Sequence, residues 1–337
     1  MRAIVQQEYG PHRDVLRLRD VPAPEPAPGQ VLVRVRATSV HADVWHAVHG
    51  VPYVLRAMSS GIRAPKQPIP GTDLAGEVVG LGVGAERLAL GDRVFGEVTR
   101  TNQWANAGAF AELAVADESL LAPIPAALSF EEAAATPTAA LIALVNLRDQ
   151  GRVRSGQRVL VNGAGGAVGV WAVQLARVFG AQVTAVDHAD KLDLLRELGA
   201  DEVLDYTRED FTTLGRRWDM VFDIVSQAPF SAVRRALEPD GTFVLVGHDQ
   251  YGRSGHRVLG SLGRMLPLMA RAPFTEQLPV IRSTPPREEN WATLVHLLEQ
   301  GRIRPVVDDE VFPLERVCDA IDHLTGGAAR GRVVVRV

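Results

Sequence analysis

The sequence predicts an α/β protein in which a β-rich domain is interrupted by a parallel sheet with helices on both faces. Three patterns support this prediction: short strands separated by Pro and Gly in the first third, alternating strands and helices in the middle, and a return to mixed patterns at the end. The chain has 337 residues, 46% of them hydrophobic and 23% charged, which is long enough for two such domains.

The β-rich domain is predicted from short apolar runs bounded by turn residues. In VLVRVRA (31–37), apolar and basic residues alternate, as on a strand with one buried face. Further strands are predicted at AIVQ (3–6), GEVVG (76–80), DRVFG (92–96) and GAFAELAVA (108–116).

The inserted domain begins where the pattern becomes helical. Ser129 is a predicted N-cap, with Glu131 and Glu132 in the first helical turn. Strands are then predicted at 158–162, 182–187, 201–206, 218–225 and 242–247, with helices at 167–180 and 190–199. Repeated βα units predict a parallel sheet covered on both faces.

The last part of the chain is predicted to return to the β-rich domain, with helices at 288–301 and 314–324 and a final strand at 331–337. We therefore assign residues 1–123 and 273–337 to the β-rich domain and residues 124–272 to the inserted one.

Composition excludes several classes of function. A net charge of −4 gives no reason to expect nucleic acid or an anionic membrane as a partner. Cys318 is the only cysteine, which excludes an internal disulfide framework and indicates a reducing compartment. The segment MRAIVQQEYG lacks the apolar run of a signal peptide, and no stretch approaches the roughly 20 apolar residues of a transmembrane helix. We expect a soluble cytoplasmic protein.

The strongest chemical motif is a glycine-rich loop between a predicted strand and a predicted helix. RVLVNGAGGAVGVWAVQLA (158–176) places Gly163, Gly165, Gly166 and Gly169 at this junction. Glycines let the backbone approach a diphosphate, and the helix N-terminus offers unpaired N–H groups to that anion. The alternative is a plain strand–helix turn, but the flanking elements and a downstream acidic residue favour dinucleotide binding.

That acidic residue, Asp187, ends the next predicted strand about twenty residues on, as the dinucleotide fingerprint requires. A carboxylate there accepts hydrogen bonds from the ribose hydroxyls of NAD and repels a 2′-phosphate, which favours NADH over NADPH. His188 and Lys191 are cations that could meet such a phosphate. The alternative for Asp187 is to cap the helix that begins near Ala189.

With these motifs, the chain resembles the medium-chain dehydrogenase/reductase superfamily along essentially its whole length. Within it, the chain is similar to the zinc-independent quinone oxidoreductase and enoyl reductase branch. The matching stretches are GTDLAGEVVGLG (71–82), GDRVFG (91–96), GAFAELAVA (108–116), LSFEEAAATPTAALIAL (128–144), RVLVNGAGGAVG (158–169), ELGADEVLDY (197–206) and GRVVV (331–335). The resemblance implies a GroES-like β-rich catalytic domain, an inserted Rossmann domain, an active site in the cleft between them, and a homodimer.

The resemblance also implies roles for particular residues. Gly163, Gly166 and Gly169 match the family's diphosphate loop, and Tyr206 matches a tyrosine beside the adenosine. Val225 and Gly247 end later strands, where the nicotinamide ribose would pass. The predicted cofactor-binding residues are Gly163, Ala164, Gly166, Ala167, Val168, Gly169, Asp187, Lys191, Tyr206, Val225 and Gly247. The branch has a small neutral residue in place of Asp187 and uses NADPH, so this chain departs from it there.

The histidines of SVHADVWHAVHG (39–50) suggest a metal site, which the rest of the chain argues against. Zinc-dependent relatives have a Cys where His41 stands and a His–Glu pair where Thr72 and Asp73 stand. His41 and Asp73 alone would hold zinc poorly. His46 and His49 are three residues apart on a predicted short helix, a spacing that ordinary solvated pairs share. We predict no metal.

His41 is instead the first candidate for an active-site polar group. It occupies the position of an Asn that reaches towards the nicotinamide and the substrate in the resembled branch. His41 could hydrogen-bond the substrate oxygen or donate a proton, or it could be a packed histidine paired with Asp43. Asp43 could orient a neighbour or cap the helix, and Trp45 could line the substrate pocket or belong to the core.

Tyr53 is a second candidate proton donor, because enoyl reductases of this superfamily have a tyrosine close to this point, offset by one residue. The segment 51–70 contains Arg56, Arg63 and Lys66 and no acid. It is predicted either as a mobile cover over an apolar substrate with a polar or anionic group, with Arg56 binding that substrate, or as a surface loop. The basic, apolar segment 251–274 could line the pocket or form a dimer contact.

These observations predict an NAD(P)H-dependent oxidoreductase that transfers hydride to a quinone or an α,β-unsaturated carbonyl without a metal. Such an acceptor takes hydride at carbon, so the protein has to position it, stabilise the oxygen and admit a proton. Two alternatives remain open: a specialised biosynthetic reductase with one narrow substrate, and a nucleotide-binding protein with little catalysis. The expected partners are a small-molecule substrate and a second copy of the chain, with no nucleic acid and no membrane.

Overall fold

The computed structural model describes residues 1–98, 105–247, 251–253, 256–260, 262–279 and 282–337. This part of the chain divides into two units. The first contains residues 1–138 and 286–337, and the second contains residues 139–285. The first unit is therefore built from both ends of the chain, with the second unit inserted in its sequence.

Most strands in the described residues belong to two main sheets. They are β1 (Arg2–Gln6), β2 (Leu16–Asp20), β3 (Gln30–Val40), β4 (Asp73–Leu81), β5 (Arg93–Glu97), β6 (Leu113–Asp117), β7 (Leu121–Pro123), β8 (Arg158–Asn162), β9 (Gln182–Asp187), β10 (Glu202–Asp205), β11 (Trp218–Asp223), β12 (Leu237–Leu245), β13 (Val307–Pro313) and β14 (Arg332–Arg336).

The α-helices lie mostly between strands. They are α1 (His12–Val15), α2 (Ala42–His49), α3 (Tyr53–Leu55), α4 (Phe130–Ala134), α5 (Pro137–Val145), α6 (Ala167–Val178), α7 (Leu192–Glu197), α8 (Phe230–Val233), α9 (Leu262–Arg271), α10 (Arg287–Glu299) and α11 (Val317–Gly326). Single π-helical turns follow α3 at Arg56–Ser60 and α5 at Asn146–Gln150, and short 3₁₀ turns lie at Glu118–Leu120, Ala189–Lys191, Arg234–Ala236, Ala272–Phe274 and Leu314–Arg316. None of the helices in the described residues is long and apolar enough to cross a membrane.

The first unit is organised around β3, which alternates buried valines with more exposed residues over its first half. This alternation buries Val31, Val33 and Val35 on one face of the sheet, as period-two patterning requires. The sheet has the order β13-β14-β3-β4-β5-β7, and β6 also pairs with β3. The strands β1 and β2 form a separate antiparallel pair.

The second unit contains a parallel five-stranded sheet in the order β10-β9-β8-β11-β12. Its central strands have continuous apolar runs, such as Val159–Val161, because helices cover both faces. The direction of strand succession reverses between β8 and β11, and ligands of doubly wound sheets bind at the carboxyl ends of the strands at such a point. The α/β fold predicted from the sequence is confirmed.

The N-cap predicted at Ser129 is also confirmed. Ser129 caps α4, and Glu132 completes a capping box by returning a hydrogen bond to the Ser129 N–H. Gly50 ends α2 in the left-handed region, with φ of 62°. Because α4 contacts β3 and β4, it belongs to the first unit. The domain limits predicted from the sequence, at 123/124 and 272/273, stay a prediction.

Candidate functional site

The first candidate centre is a buried group of three side chains, His41, Thr72 and Asp43, which we call the His41 cluster. His41 leaves the end of β3 and is the N-cap residue of α2, so its ring stays at the sheet end. Its Nε2 atom lies 2.7 Å from Oγ1 of Thr72, the residue before β4. Its Nδ1 atom lies 3.3 Å from Oδ2 of Asp43. His41 is only 5% exposed and Thr72 only 1%.

Charge decides which ring nitrogen carries the proton in the His41 cluster. A carboxylate accepts hydrogen bonds and does not donate them, so Asp43 favours a hydrogen on Nδ1. In the neutral ring, Nε2 then accepts the hydroxyl hydrogen of Thr72. The Nδ1–Asp43 contact is not aligned as a hydrogen bond, so it acts mainly through charge. The cluster therefore joins a hydroxyl, an imidazole and a carboxylate in series.

Next to this cluster, Asp73 is fully buried and has several strong partners. The guanidinium of Arg332 in β14 donates to the Asp73 carboxylate and, over 2.9 Å, to the Ser39 hydroxyl. The hydroxyls of Ser39 and Thr138 donate to the two Asp73 oxygens over 2.9 and 2.5 Å. We call these four residues the Asp73 network. A second buried acid, Glu97, pairs with Arg287 from α10.

These contacts test whether His41 and Asp73, the two possible zinc ligands in the sequence, are placed to bind a metal. His41 Nε2 points at Thr72, and the Asp73 carboxylate is neutralised by Arg332. A guanidinium at hydrogen-bond distance is a competing cation, so Asp73 does not fit a zinc-ligand role. Across the ranges that the structure describes, no three His, Cys, Asp or Glu side chains are placed to hold a metal ion.

The other histidines of the 39–50 stretch belong to a separate group. His46 Nδ1 donates to the carbonyl of Val51 over 2.7 Å. His49 lies 3.2 Å from Nδ1 of His12, whose Nε2 donates to Asp322 over 2.9 Å. Burial lowers the pKa of His49 to about 4, with His12 and His46 adding to the effect. His12 was not a candidate from the sequence, because its partners are distant along the chain.

Trp45 packs within this histidine group. Its ring stacks on His49 with centroids 4.2 Å apart and meets His46 edge-on at 5.0 Å. It also contacts the apolar core formed by β3, α2, α11 and β14. Trp45 is thus a partly buried residue packed against the core, and its predicted role in a substrate pocket stays a prediction.

Tyr53 and Arg56 are brought together on the segment after α2. The Arg56 guanidinium lies over the ring of Tyr53, 4.7 Å from its centroid, and over the ring of Tyr9 at 4.3 Å. Arg56 Nε donates to the carbonyl of Gly50 over 2.6 Å. Tyr53 is 41% exposed. Arg56 thus fixes the start of this segment through cation–π contacts, while Tyr53 remains open to solvent.

The second candidate centre is the glycine loop between β8 and α6. Gly163 has φ of 87°, a conformation that favours glycine. A Cβ on Gly169 would lie 2.2 Å from the carbonyl oxygen of Gly163, so only glycine permits this close turn. Ala164 is buried, and its N–H donates to Val186 at 3.1 Å. The loop is therefore held by its own backbone.

This loop fits a diphosphate. Gly166 is the N-cap of the twelve-residue helix α6 and offers no capping side chain. The N–H groups of Ala167, Val168 and Gly169 form the first turn, where α-helices lack internal acceptors. They carry the positive end of the helix dipole, which stabilises a bound anion. The predicted loop residues therefore lie together at one helix N-terminus.

Asp187 ends β9 beside the same loop. Its Oδ2 accepts the N–H of Gly165 over 2.7 Å, and its Oδ1 accepts the N–H of His188 over 2.8 Å. Lys191 Nζ lies 3.9 Å from Oδ1, and the Lys191 chain packs against Gly165. Tyr206 is exposed on the following strand end, with its ring 6.0 Å from the ring of His188.

Asp223 is a site residue that sequence analysis missed. It ends β11, and its Oδ1 accepts hydrogen bonds from Asn162 Nδ2 and from the N–H groups of Val225 and Ser226. Burial raises the pKa of its carboxyl group. These bonds tie the ends of β8 and β11 together and hold Val225 against Gly163. Gly247 is anchored nearby, since its N–H donates to the Asp223 carbonyl over 3.2 Å. The sequence feature that could have identified Asp223 is its position near the end of a predicted strand.

Two family models match the chain. The alcohol dehydrogenase GroES-like domain matches residues 27–126, and the zinc-binding dehydrogenase matches residues 198–335.

Similar proteins cover almost the whole chain. A quinone-oxidoreductase homolog, chloroplastic, from Spinacia oleracea is 31% identical over 99% of this chain and 98% of its own length. An NADPH-dependent alkenal/one oxidoreductase, chloroplastic, from Arabidopsis thaliana is 32% identical over 99% of this chain and 79% of its own length. Among solved structures, the quinone oxidoreductase from Coxiella burnetii aligns with a TM-score of 0.82 at 26% identity, covering 100% of this chain and 99% of that one.

Proposed function

Because the chain belongs to the medium-chain dehydrogenase/reductase superfamily, in its quinone oxidoreductase-like branch, we propose that it is a metal-independent NAD(P)H oxidoreductase acting on quinones or α,β-unsaturated carbonyls. The observation that carries the proposal is that one chain contains both a cofactor-binding loop and a buried polar cluster. The second unit has a diphosphate-binding loop, and the first has a buried hydroxyl–imidazole–carboxylate cluster where zinc relatives hold their metal.

The chain's own residues have defined tasks in this proposal. The α6 N-terminus binds the diphosphate, and Asp187 accepts hydrogen bonds from the adenosine ribose. Asp223 fixes Val225 beside the glycine loop, where the nicotinamide ribose would lie. A bound nicotinamide supplies the hydride. The His41 cluster supplies a polar group for the acceptor oxygen, a task that zinc performs as a Lewis acid in metal-dependent relatives.

The cofactor is proposed to be NADH rather than NADPH. Asp187 places a carboxylate beside the loop, and Lys191 only partly offsets its charge at 3.9 Å. The Arabidopsis thaliana relative is NADPH-dependent by name. Measurement of kcat/KM with both cofactors decides between them.

The decisive experiment is steady-state oxidation of NADH and NADPH with a panel of quinones, enones and simple alcohol–aldehyde pairs. We expect turnover with quinones or enones, unchanged after dialysis against a chelator. Tight NADH binding without turnover would instead favour a nucleotide-binding protein, and activity on a single compound class would favour a specialised reductase. Activity that disappears on chelation and returns with zinc would contradict metal independence.

The proposed partners are a small-molecule acceptor and a second copy of this chain, with a cytoplasmic location and no nucleic acid or membrane. Support for a homodimer comes from β12, which is one of the two outer strands of the described parallel sheet and can accept a further strand. Light scattering of the purified protein measures the oligomeric state directly.

A further inference from the structure

We propose that Thr72 is the group that protonates the acceptor oxygen, with His41 resupplying its proton and Asp43 positioning the imidazole. This inference rests on the proposed reductase function and assigns the proton step within it. The sequence offered His41 as the direct donor, but its Nε2 atom is bonded to Thr72 Oγ1 at 2.7 Å. Nε2 is therefore already engaged, and a proton on this nitrogen passes on through the Thr72 hydroxyl.

The protonation state of His41 controls what Thr72 can donate. When the imidazole is neutral with its hydrogen on Nδ1, Thr72 donates its hydroxyl hydrogen to Nε2 and has none left for a ligand. When the imidazole is protonated, Nε2–H donates to Thr72 Oγ1 instead. The hydroxyl hydrogen then becomes available to a second acceptor. Asp43, 3.3 Å from Nδ1, keeps the hydrogen on that nitrogen in both forms.

Neighbouring hydroxyls do not share this arrangement. Ser39 and Thr138 donate to the Asp73 carboxylate, and Thr38 donates to the Asp73 carbonyl over 2.6 Å. Within the part of the chain that the structure describes, Thr72 is the hydroxyl that contacts the His41 imidazole. Tyr53 lies on a different segment with its ring against Arg56. The other hydroxyls therefore have structural hydrogen bonds to Asp73, whereas the Thr72 hydroxyl is coupled to an imidazole.

In the proposed reduction, the acceptor receives one hydride and one proton. Hydride from the reduced nicotinamide forms a C–H bond at the acceptor carbon, and the displaced electron pair collects on the carbonyl oxygen. That oxygen takes the hydroxyl proton of Thr72, and Thr72 takes the Nε2 proton of protonated His41. The products are an enol and neutral His41, whose Nδ1–H remains towards Asp43. Water returns one proton to His41. The enol formed from an enone tautomerises to the saturated ketone, and the one formed from a quinone tautomerises to the hydroquinone.

The test compares Thr72→Val, which keeps the shape and removes the hydroxyl, with Thr72→Ser, which keeps the hydroxyl. We expect Thr72→Val to lower kcat by about 100-fold, the range of general acid catalysis, with KM changed less than about threefold. Thr72→Ser should stay within about fivefold of wild type. His41→Gln should resemble Thr72→Val, and the double variant should be no slower than either single one, because the two residues act as a unit.

The matched control is Thr136→Val. Thr136 is as fully buried as Thr72, but its hydroxyl donates to the Glu132 carbonyl within a helical turn. We expect its kcat to equal that of wild type. Affinity for NADH, measured by fluorescence titration, should be the same in every variant, which separates the proton step from cofactor binding.

Four outcomes would overturn the inference. If wild type turns over acceptors and Thr72→Val is equally fast, the relay is wrong and the proposed function stands. If Thr72→Ser is as slow as Thr72→Val, or Thr136→Val is as slow as both, the losses reflect packing and the relay is wrong. If none of the acceptors in the panel supports oxidation of NADH by the wild-type protein, both the relay and the proposed function are wrong.

Discussion

At the residue scale, Asp187 links the proposed choice of cofactor to the shape of the glycine loop. Both of its carboxylate oxygens already accept backbone N–H groups, from Gly165 and His188. Each oxygen retains a lone pair, so ribose hydroxyls can still donate to it. Lys191 packs along Gly165 and brings its ammonium group to 3.9 Å from Oδ1. Under the proposed function, the balance between this acid and this base decides whether a 2′-phosphate is repelled.

We predict that Asp187→Ser raises the ratio of kcat/KM for NADPH over that for NADH by about tenfold or more, because it removes a negative charge and leaves Lys191 unopposed. Steady-state kinetics with both cofactors measures the ratio. Asp190→Ser is the control, since Asp190 also belongs to this turn but pairs with the His188 ring. An unchanged ratio in Asp187→Ser would show that this carboxylate does not discriminate between the cofactors.

At the scale of elements, three helices of the first unit meet at one chain of hydrogen bonds. α2 contributes His49, α1 contributes His12 and α11 contributes Asp322. His12 donates to the carboxylate from Nε2, so in its neutral form its Nδ1 accepts the Nε2–H of His49. Arg13 donates to the same carboxylate over 2.7 Å from its Nε. Burial, together with the nearby His12 and His46, disfavours the charged form of His49.

We predict that the free energy of unfolding decreases as the pH falls from about 6.5 to 4. The pKa of His49 is about 4 in the folded protein, below its ordinary value of 6.5, so the unfolded chain binds the proton first. The stability contributed by neutral His49 is complete above 6.5 and lost by about pH 4, and it amounts to at most about 3 kcal/mol.

Urea denaturation across this pH range, compared between wild type and His49→Gln, measures the effect. The variant should lose part of the pH dependence. His296→Gln is the control, because His296 is exposed on α10 and its ring contacts Gln300 at the same helix end. Equal pH dependence in wild type and His49→Gln would contradict the prediction.

At the scale of the whole molecule, the Asp73 network joins segments far apart in the chain. Arg332 lies in β14 and Asp73 begins β4, 259 residues earlier. Ser39, from β3, accepts a hydrogen bond from the same guanidinium. The strand order places β14 directly beside β3, so this buried ion pair holds the two ends of the first unit's sequence together. A buried pair of this kind is costly to break by removing one partner.

We predict that Arg332→Met lowers the free energy of unfolding by about 3–5 kcal/mol, because it leaves the buried Asp73 carboxylate unpaired. The double variant Arg332→Met with Asp73→Asn should recover much of the loss, since both charges are then absent. Chemical denaturation measures both. The control is Arg336→Met, whose pair with Glu131 is more exposed and should matter by less than about 1 kcal/mol. Equal effects of Arg332→Met and Arg336→Met would contradict this account.

The sequence predicted features that depend on neighbouring residues. The Ser129 cap, the Gly163–Gly169 loop and the end of β9 at Asp187 are local patterns, and the structure has all of them. The sequence could not predict the Thr72–His41 bond or the Asp73–Arg332 pair, because such contacts depend on strand order and register. His12 shows the same limit, since nothing near position 12 points to His49 or Asp322.

The position of β14 has a consequence for how the chain is made. Residues 332–336 form an interior strand between β13 and β3, yet they leave the ribosome after every other described strand. The strands of the second unit, from 158 to 245, emerge much earlier and can pair while translation continues. Until the last strand arrives, β3 keeps an open edge of N–H and C=O groups. A nascent chain that stops before residue 332 therefore exposes that edge and becomes a client for chaperones and proteases.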